Sequence, residues 1–241
     1  MERSVYQRLD EIEGEHWWFR ARRSILKSVI TRYAPRSGTL NILEAGCGTG
    51  GNLAMLAELG ALEAFEFDRE AREKAARKSA VDVKFGRLPD KVPYPPGYFD
   101  IIGAFDVIEH IEDDAGSLAR LRQHLAPDGR LIMTVPALPW LWSQHDITHH
   151  HFRRYTKGQL EGILRQAGLT PVLLTYFNTL LFPPIALLRL AGKATGGKHE
   201  GDDTMPSPRV NAILGRIFES EKHIIGRVPL PVGVSLLAVA K

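Results

Sequence analysis

Short apolar runs alternate along the chain with longer segments in which apolar residues recur every three or four positions. Residues 41–45, 61–67, 81–85, 100–107, 130–135, 170–177 and 233–240 are strand-length runs. The third alternates apolar and polar, and the fourth is nearly continuous, as expected of a parallel strand covered on both faces. Between them, residues 52–59, 69–79, 114–125 and 159–166 carry helical spacing with charged faces. Pro127-Asp128-Gly129 reads as a turn, Thr156 as a helix start and Gly168 as a helix end. Strands alternating with helices predict an α/β fold, a doubly wound Rossmann-like sheet.

Both ends extend this core. Residues 4–33 read as one or two amphipathic helices, with Leu9, Ile12, Trp17, Ile25, Leu26, Val29 and Ile30 at roughly helical spacing. Inside them Glu15-His16-Trp17-Trp18-Phe19-Arg20-Ala21-Arg22-Arg23 is dense in aromatics and arginines, which fits a packed helix with a solvated basic side, a lid over a ligand, or a nucleic-acid face. Residues 178–190 are strongly apolar with Pro183-Pro184, and 192–208 are polar, glycine-rich and expected to be mobile. The uncharged run 172–188 is 17 residues long, at the lower edge of a membrane-spanning length, and the strand and proline pair inside it argue against a transmembrane helix. Three readings stand for 178–228: a cover over a hydrophobic acceptor, a membrane-surface or partner-binding patch (through 178–190), or core packing. The expected organisation is one domain, with a helical lid at 1–38, the core at 39–178, the cover at 179–228 and a closing strand at 229–241.

The chemistry centres on Glu44-Ala45-Gly46-Cys47-Gly48-Thr49-Gly50-Gly51, where a buried strand breaks into glycines and opens a helix. Backbone N–H groups at such a start can face a ligand with no Cβ in the way, which marks a nucleotide-type cofactor site. The glycines alone satisfy both a dinucleotide pattern and that of an S-adenosylmethionine (SAM) site. Glu44 leans the choice to SAM, because a carboxylate repels a pyrophosphate but suits the ammonium of a methionine moiety. Glu66, twenty residues after Gly46 at the end of the second strand, is placed to meet ribose hydroxyls.

Leu43 to Gly50, then Ala64-Phe65-Glu66-Phe67-Asp68, then Phe99-Asp100-Ile101-Ile102 running into Val107-Ile108-Glu109-His110, resemble the successive motifs of class I SAM-dependent methyltransferases of the small-molecule, Type 11/12-like kind. The resemblance covers roughly residues 40–178 and the last strand. It implies a seven-stranded sheet with an antiparallel closing strand, here 228–231 and 233–240, and SAM as cofactor with S-adenosylhomocysteine (SAH) as product. Cofactor contacts are implied at Glu44, Gly46, Cys47, Gly48, Gly50, Glu66, Phe67, Arg87, Leu88, Phe105 and Asp106. One departure is visible: where the family commonly carries an aspartate for the adenine amino group, this chain reads Gly86-Arg87-Leu88, so adenine falls to backbone groups, with Leu88 the candidate.

By the crevice rule for open α/β sheets, reacting groups lie beyond the carboxyl ends of the strands. Two segments qualify, 106–110 and 136–155. Candidate catalytic residues are His145, Asp146, His149, His150 and Tyr155, the base option resting on His145, Asp146 and the run His149 to His151, since a histidine can accept a proton near neutral pH; the alternative is that some of these merely cap the helix starting near Thr156. Trp18, His110, Trp140 and Trp142 are candidates for binding the acceptor. Asp106, Glu109 and His110 also resemble the divalent-metal motif of some O-methyltransferases, those acting on ubiquinone precursors and on the 3′ ends of small RNAs, in which a further histidine comes from a segment resembling 150–156. A metal, manganese better suited than magnesium, is thus an alternative but not the favoured one.

The expected reaction is methyl transfer, O-methylation favoured, to a small and fairly apolar acceptor. The alternatives are a metal-assisted enzyme acting on RNA or a lipid-quinone type substrate, an NAD(P)-dependent oxidoreductase, and a non-catalytic SAM-binding module. Composition changes the picture little. Of 241 residues 44% are hydrophobic, enough for one sizeable core. A net charge of +3, from 31 basic and 28 acidic residues, is too balanced to argue for nucleic acid. A single cysteine and no start resembling a signal peptide lead to the expectation of a cytoplasmic protein.

Overall fold

In the computed structural model, residues 3–35, 38–195 and 204–241 are described. Seven strands form one sheet: β1 Leu40–Ala45, β2 Gly60–Glu66, β3 Val83–Phe85, β4 Phe99–Phe105, β5 Leu125–Pro136, β6 Pro171–Phe177 and β7 Ser235–Ala240. Their order is β3-β2-β1-β4-β5-β7-β6. The first five are parallel to one another, and β7 runs antiparallel to both β5 and β6. The strand order reverses between β1 and β4, so the carboxyl ends of β1, β2, β4 and β5 flank the crevice where such folds bind ligands.

Consecutive residues in the central strands serve opposite faces, as the pleat requires. Ile42, Ile101 and Ile132 pack with Ile25, Leu26, Val29 and Ile30 on one side. Leu43, Ile102 and Leu131 pack with Leu118, Leu121, Leu160 and Leu164 on the other. The first helix layer is α2 (Trp17–Tyr33), whose buried residues recur at three- and four-residue spacing; the second is α5 (Asp114–Arg122) with α7 (Lys157–Gln166). Helix α1 (Arg3–Ile12) precedes them, and α3 (Leu53–Ala57) and α4 (Arg69–Lys78) flank β2. Two helix starts have a clear local cause. Asp68 Oδ1 accepts the Ala71 N–H (2.9 Å) at α4, and Thr156 and Gln159 form a reciprocal capping box at α7, so the neighbouring histidines do not cap that helix.

Several element bounds differ from expectation. The amphipathic stretch 4–33 is two helices, broken around Gly14 and restarted by His16 as N-cap. The expected turn at 127–129 is a register irregularity inside a longer β5, whose pairing steps from Phe99↔Leu125 to Ile101↔Arg130. The helix expected over 114–125 stops at Arg122, because Leu125 is already paired into the sheet. Residues 228–231 are not strand; β7 begins at Ser235. A short α6 (Gln144–Thr148) follows β5, and the apolar tail forms two cover helices, α8 (Phe182–Thr195) and α9 (Pro208–Glu219). Pro183 and Pro184 sit in the first turn of α8, where no backbone N–H is needed for the helix. Of the stretch expected to be mobile, 196–203 lies outside the described residues. Among the described residues no helix is long and apolar enough to cross a membrane.

Candidate active site

β1 delivers Ala45 into a loop whose glycines take left-handed backbone angles, φ +68° at Gly46, +55° at Gly48 and +89° at Gly50. A Cβ on Gly46 would stand 2.9 Å from Val107 Cγ1, and one on Gly50 would stand 3.0 Å from the Cα of Ala75 in α4. Gly50 therefore packs the loop onto α4 rather than lining the cavity. The N–H groups expected to face the ligand are largely spent inside the protein. Gly46 and Cys47 donate to Phe65 O (3.0 and 3.1 Å), Gly50 donates to Cys47 O (3.0 Å), and Gly48 donates to the Glu66 carboxylate (2.9 Å). The loop is thus a shaped wall rather than an anion cradle, a difference invisible to a motif.

Glu44 is buried at 1% exposure. Its Oε1 accepts from Asn52 Nδ2 (2.7 Å), while Oε2 has no partner. Burial pushes its carboxyl up to about 8 against the lowering hydrogen bond from Asn52. A buried oxygen without a partner is costly, and its chemistry would suit the ammonium of a methionine moiety. Glu66 at the end of β2 accepts from Gly48 and Asp68 N–H (2.9 and 2.8 Å) and is raised chiefly by burial. It therefore braces the loop with the same carboxylate expected to meet ribose.

A cavity of about 950 Å³ connects these groups to α8 and α9. Cys47, Phe67, Arg87, Leu88, Phe105 and Asp106 line it together with Glu44, Gly46, Gly48 and Glu66. Cys47 is buried and its thiol is pushed far up by burial, which leaves it no thiolate chemistry. Phe67 is 58% exposed, with the Arg87 guanidinium 5.7 Å from its ring centre. Over the cavity, Arg22 of α2 is buried, lies 4.4 Å from the centre of the Trp18 ring, and pairs with Asp106, which itself takes φ +56°. Arg23 donates to the carbonyls of Glu13, Gly14 and Gly51. These two arginines are built into the cavity roof, and this separates them from a nucleic-acid face.

On the far side, Ile108–His110 forms a 3₁₀ turn after β4, and the segment from α6 to residue 155 folds against it. Phe152 N–H donates to Glu109 O (2.8 Å), tying the two together. Glu109, His110 and His151 each bring one ligand atom within 4.8 Å of the others. Glu109 is 0% exposed and neither carboxylate oxygen has a hydrogen-bond partner. Burial, with Asp106 adding, drives its carboxyl well above the usual range. Burial likewise holds His110 well below its ordinary value, with His151 and His149 adding to the effect. His151 Nδ1 lies 2.9 Å from Asp146 Oδ1. Burial alone would raise Asp146, but the hydrogen bond from His151 and the guanidinium of Arg154, whose Nε is 2.7 Å away, hold it far below the usual carboxylate range.

Not every candidate reaches the cavity. His110, His145, His149 and Trp18 line it; Asp146, His150, Tyr155, Trp140 and Trp142 do not. Asp146 acts behind His151. Tyr155 is buried, and its hydroxyl donates to Asp114 (2.9 Å) at the start of α5. His150 is exposed with φ +56°, and Trp140 packs edge-on against Phe182. The metal-type cluster contains His151 in place of Asp106, because Asp106 turns to Arg22. Asn52 escaped the sequence list of site residues, and His151 stood in it only as one of the run 149–151. In a run of three histidines nothing local says which ring turns inward, whereas Asn52, at the first residue after the glycine loop, could have been found as the helix-start partner of Glu44.

Residues 18–174 match the methyltransferase domain family, and the chain belongs to that family. Fold and family place it among the class I SAM-dependent methyltransferase domains. A Mycolicibacterium smegmatis protein described as a probable S-adenosylmethionine-dependent methyltransferase is 28% identical over 159 residues, covering 64% of this chain and 60% of that protein. The match thus spans less than two thirds of that relative's length. An O-methyltransferase of Penicillium expansum is 27% identical over 190 residues, covering 72% of this chain and 67% of that one. Among solved structures, a Haloferax volcanii methyltransferase in complex with the Trm112 activator superposes with TM-score 0.63 at 18% identity, covering 98% and 93% of the two chains. Geranyl diphosphate C-methyltransferase of Streptomyces coelicolor, solved with Mg²⁺, geranyl diphosphate and SAH, gives TM-score 0.57 at 14% identity, covering 90% and 78%. These two likenesses concern the fold.

Proposed function

We propose that the chain transfers the methyl group of SAM to an oxygen of a small, fairly apolar acceptor, with His151 taking the acceptor's proton. The observation that carries the reading is the buried Asp146–His151 pair. A carboxylate at Nδ1 fixes the tautomer and leaves Nε2 with the free lone pair, the arrangement a general base needs. SAM supplies an activated methyl on a sulfonium, so most of the task left to the protein is alignment and exclusion of water. Glu44 and Asn52 hold the methionine end, and Glu66 and Phe67 flank the nucleoside end. Leu181, Ile185 and Leu214 give the acceptor arm of the cavity apolar walls. Asp146 and Arg154 keep His151 in place.

Glu109 favours a second reading. A buried carboxylate with two unpartnered oxygens beside two imidazoles fits a divalent cation, Mn²⁺ better than Mg²⁺. Such an ion at Glu109, His110 and His151 would acidify an acceptor hydroxyl.

The test is transfer of labelled methyl from SAM to a panel of apolar phenols, catechols and long-chain alcohols, run with EDTA, Mg²⁺ or Mn²⁺. Label on oxygen that survives EDTA and is lost in His151→Ala while SAH affinity persists supports the first reading. Loss with EDTA and recovery with Mn²⁺ selects the second. Binding of SAH without transfer to any acceptor would leave a non-catalytic SAM-binding module.

A further inference from the structure

The two cover helices present an apolar surface that the core does not use. On α8, Pro183, Pro184, Leu187, Leu188 and Leu190 are all exposed, Leu187 at 68%. At about 100° per residue Pro183, Leu187 and Leu190 share an outward arc of roughly 60°, and Pro184 and Leu188 beside them turn to the cavity. On α9, Val210, Ile213 and Ile217 form an exposed stripe, with Arg209 and Arg216 exposed beside it, while Leu214 and Phe218 turn inward. Both helices border the acceptor arm: Leu188 and Leu214 line the cavity, and so do Thr204 and Pro206 on either side of the exposed Met205. The surface therefore runs into the mouth of the cavity.

Charge selects the occupant. Of the described residues 179–195 and 204–219, Lys193, Arg209 and Arg216 are exposed cations, Arg189 is buried and donates to Leu141 O (3.1 Å), and the one acid, Glu219 at the end of α9, pairs with Lys222. An apolar face rimmed by cations suits the headgroup boundary of an anionic bilayer. It suits a second copy poorly, since a two-fold contact would set one basic rim against another.

We propose that α8 and α9 dock the protein on an anionic lipid surface, with the cavity mouth facing the bilayer. The docking surface stands apart from the methyl-transfer chemistry, and the proposed apolar acceptor would enter from the membrane plane.

The experiment is co-sedimentation of the full chain with vesicles of phosphatidylglycerol and phosphatidylcholine, and with phosphatidylcholine alone, at low and high salt. Calorimetric SAH affinity serves as the control for folding and for the cofactor reading. We expect binding to the anionic vesicles that falls at least tenfold in Leu187→Asp/Leu190→Asp. It should also fall in Arg209→Ser/Arg216→Ser and at high salt, with SAH affinity unchanged throughout. None of these four residues lines the cavity. Wild-type protein left in the supernatant, or sedimentation unaffected by both double variants, overturns the proposal. A stable dimer by light scattering that is lost in the leucine variant, without vesicle binding, gives the face to a second copy and also overturns it. Failure of SAH binding alone would count against the cofactor reading and leave the docking result standing.

Discussion

Replacing Glu44 by glutamine separates what this carboxylate does for the ligand from what it costs the fold. In the unfolded chain the carboxyl is ionised at pH 7, whereas burial pushes it up to about 8 in the folded one. A raised carboxyl costs nothing below pH 4.5, costs more as pH climbs, and reaches its full cost above about 8. At pH 7 this amounts to ~3 kcal/mol. Glutamine cannot ionise and keeps an oxygen for Asn52, so the ligand-free variant should unfold roughly 6–12 °C higher than wild type at pH 7. Cofactor binding should move the other way. To meet the ammonium, Glu44 must release its proton below pH 8. SAH affinity should therefore rise close to tenfold, about 1.4 kcal/mol, between pH 6 and 7. Calorimetry in two buffers of different ionisation enthalpy should read about 0.9 proton released at pH 7. In Glu44→Gln the proton release and this pH dependence disappear and affinity falls. A variant whose SAH affinity stays within twofold of wild type, or a lower unfolding temperature, would refute the reasoning.

Other perturbations test other parts of the site. Asp146→Asn should lower kcat by about 10–100-fold with SAH affinity nearly intact, because it releases the His151 tautomer without touching the cofactor; an unchanged kcat removes the pair from the chemistry. Gly50→Ala sets a Cβ 3.0 Å from the Ala75 backbone at φ +89°. The strain should cost at least ~1–2 kcal/mol in urea unfolding and weaken SAH binding together. Leu26→Ala empties a fully buried position between α2 and the sheet and should cost about 2–5 kcal/mol, with cofactor affinity following only as far as α2 shifts. For the cation reading, Mn²⁺ binding followed by electron paramagnetic resonance should be lost in Glu109→Gln and kept in Asp106→Asn, since Asp106 is committed to Arg22.

The strand-and-helix alternation, the glycine turn and the two carboxylates that line the cavity beside it were legible in the linear chain, because each depends on near neighbours. Period-two and period-3.6 patterns report which face is buried, Gly46 and Gly50 report a left-handed turn, and Glu44 and Glu66 stand at strand ends a fixed distance along the chain. Tertiary structure alone decided what these groups do with their bonds. The loop N–H groups turn inward to Phe65 and Glu66, Asp106 is taken by an arginine 84 residues away, and one histidine of three meets Glu109 and His110. The cover helices show the same division: their apolarity was evident in sequence, but their relation to the cavity mouth depends on how they pack on α2 and the sheet. Periodicity is a property of the backbone, whereas a partner for a buried charge is set by which distant segment arrives beside it, and no local pattern encodes that.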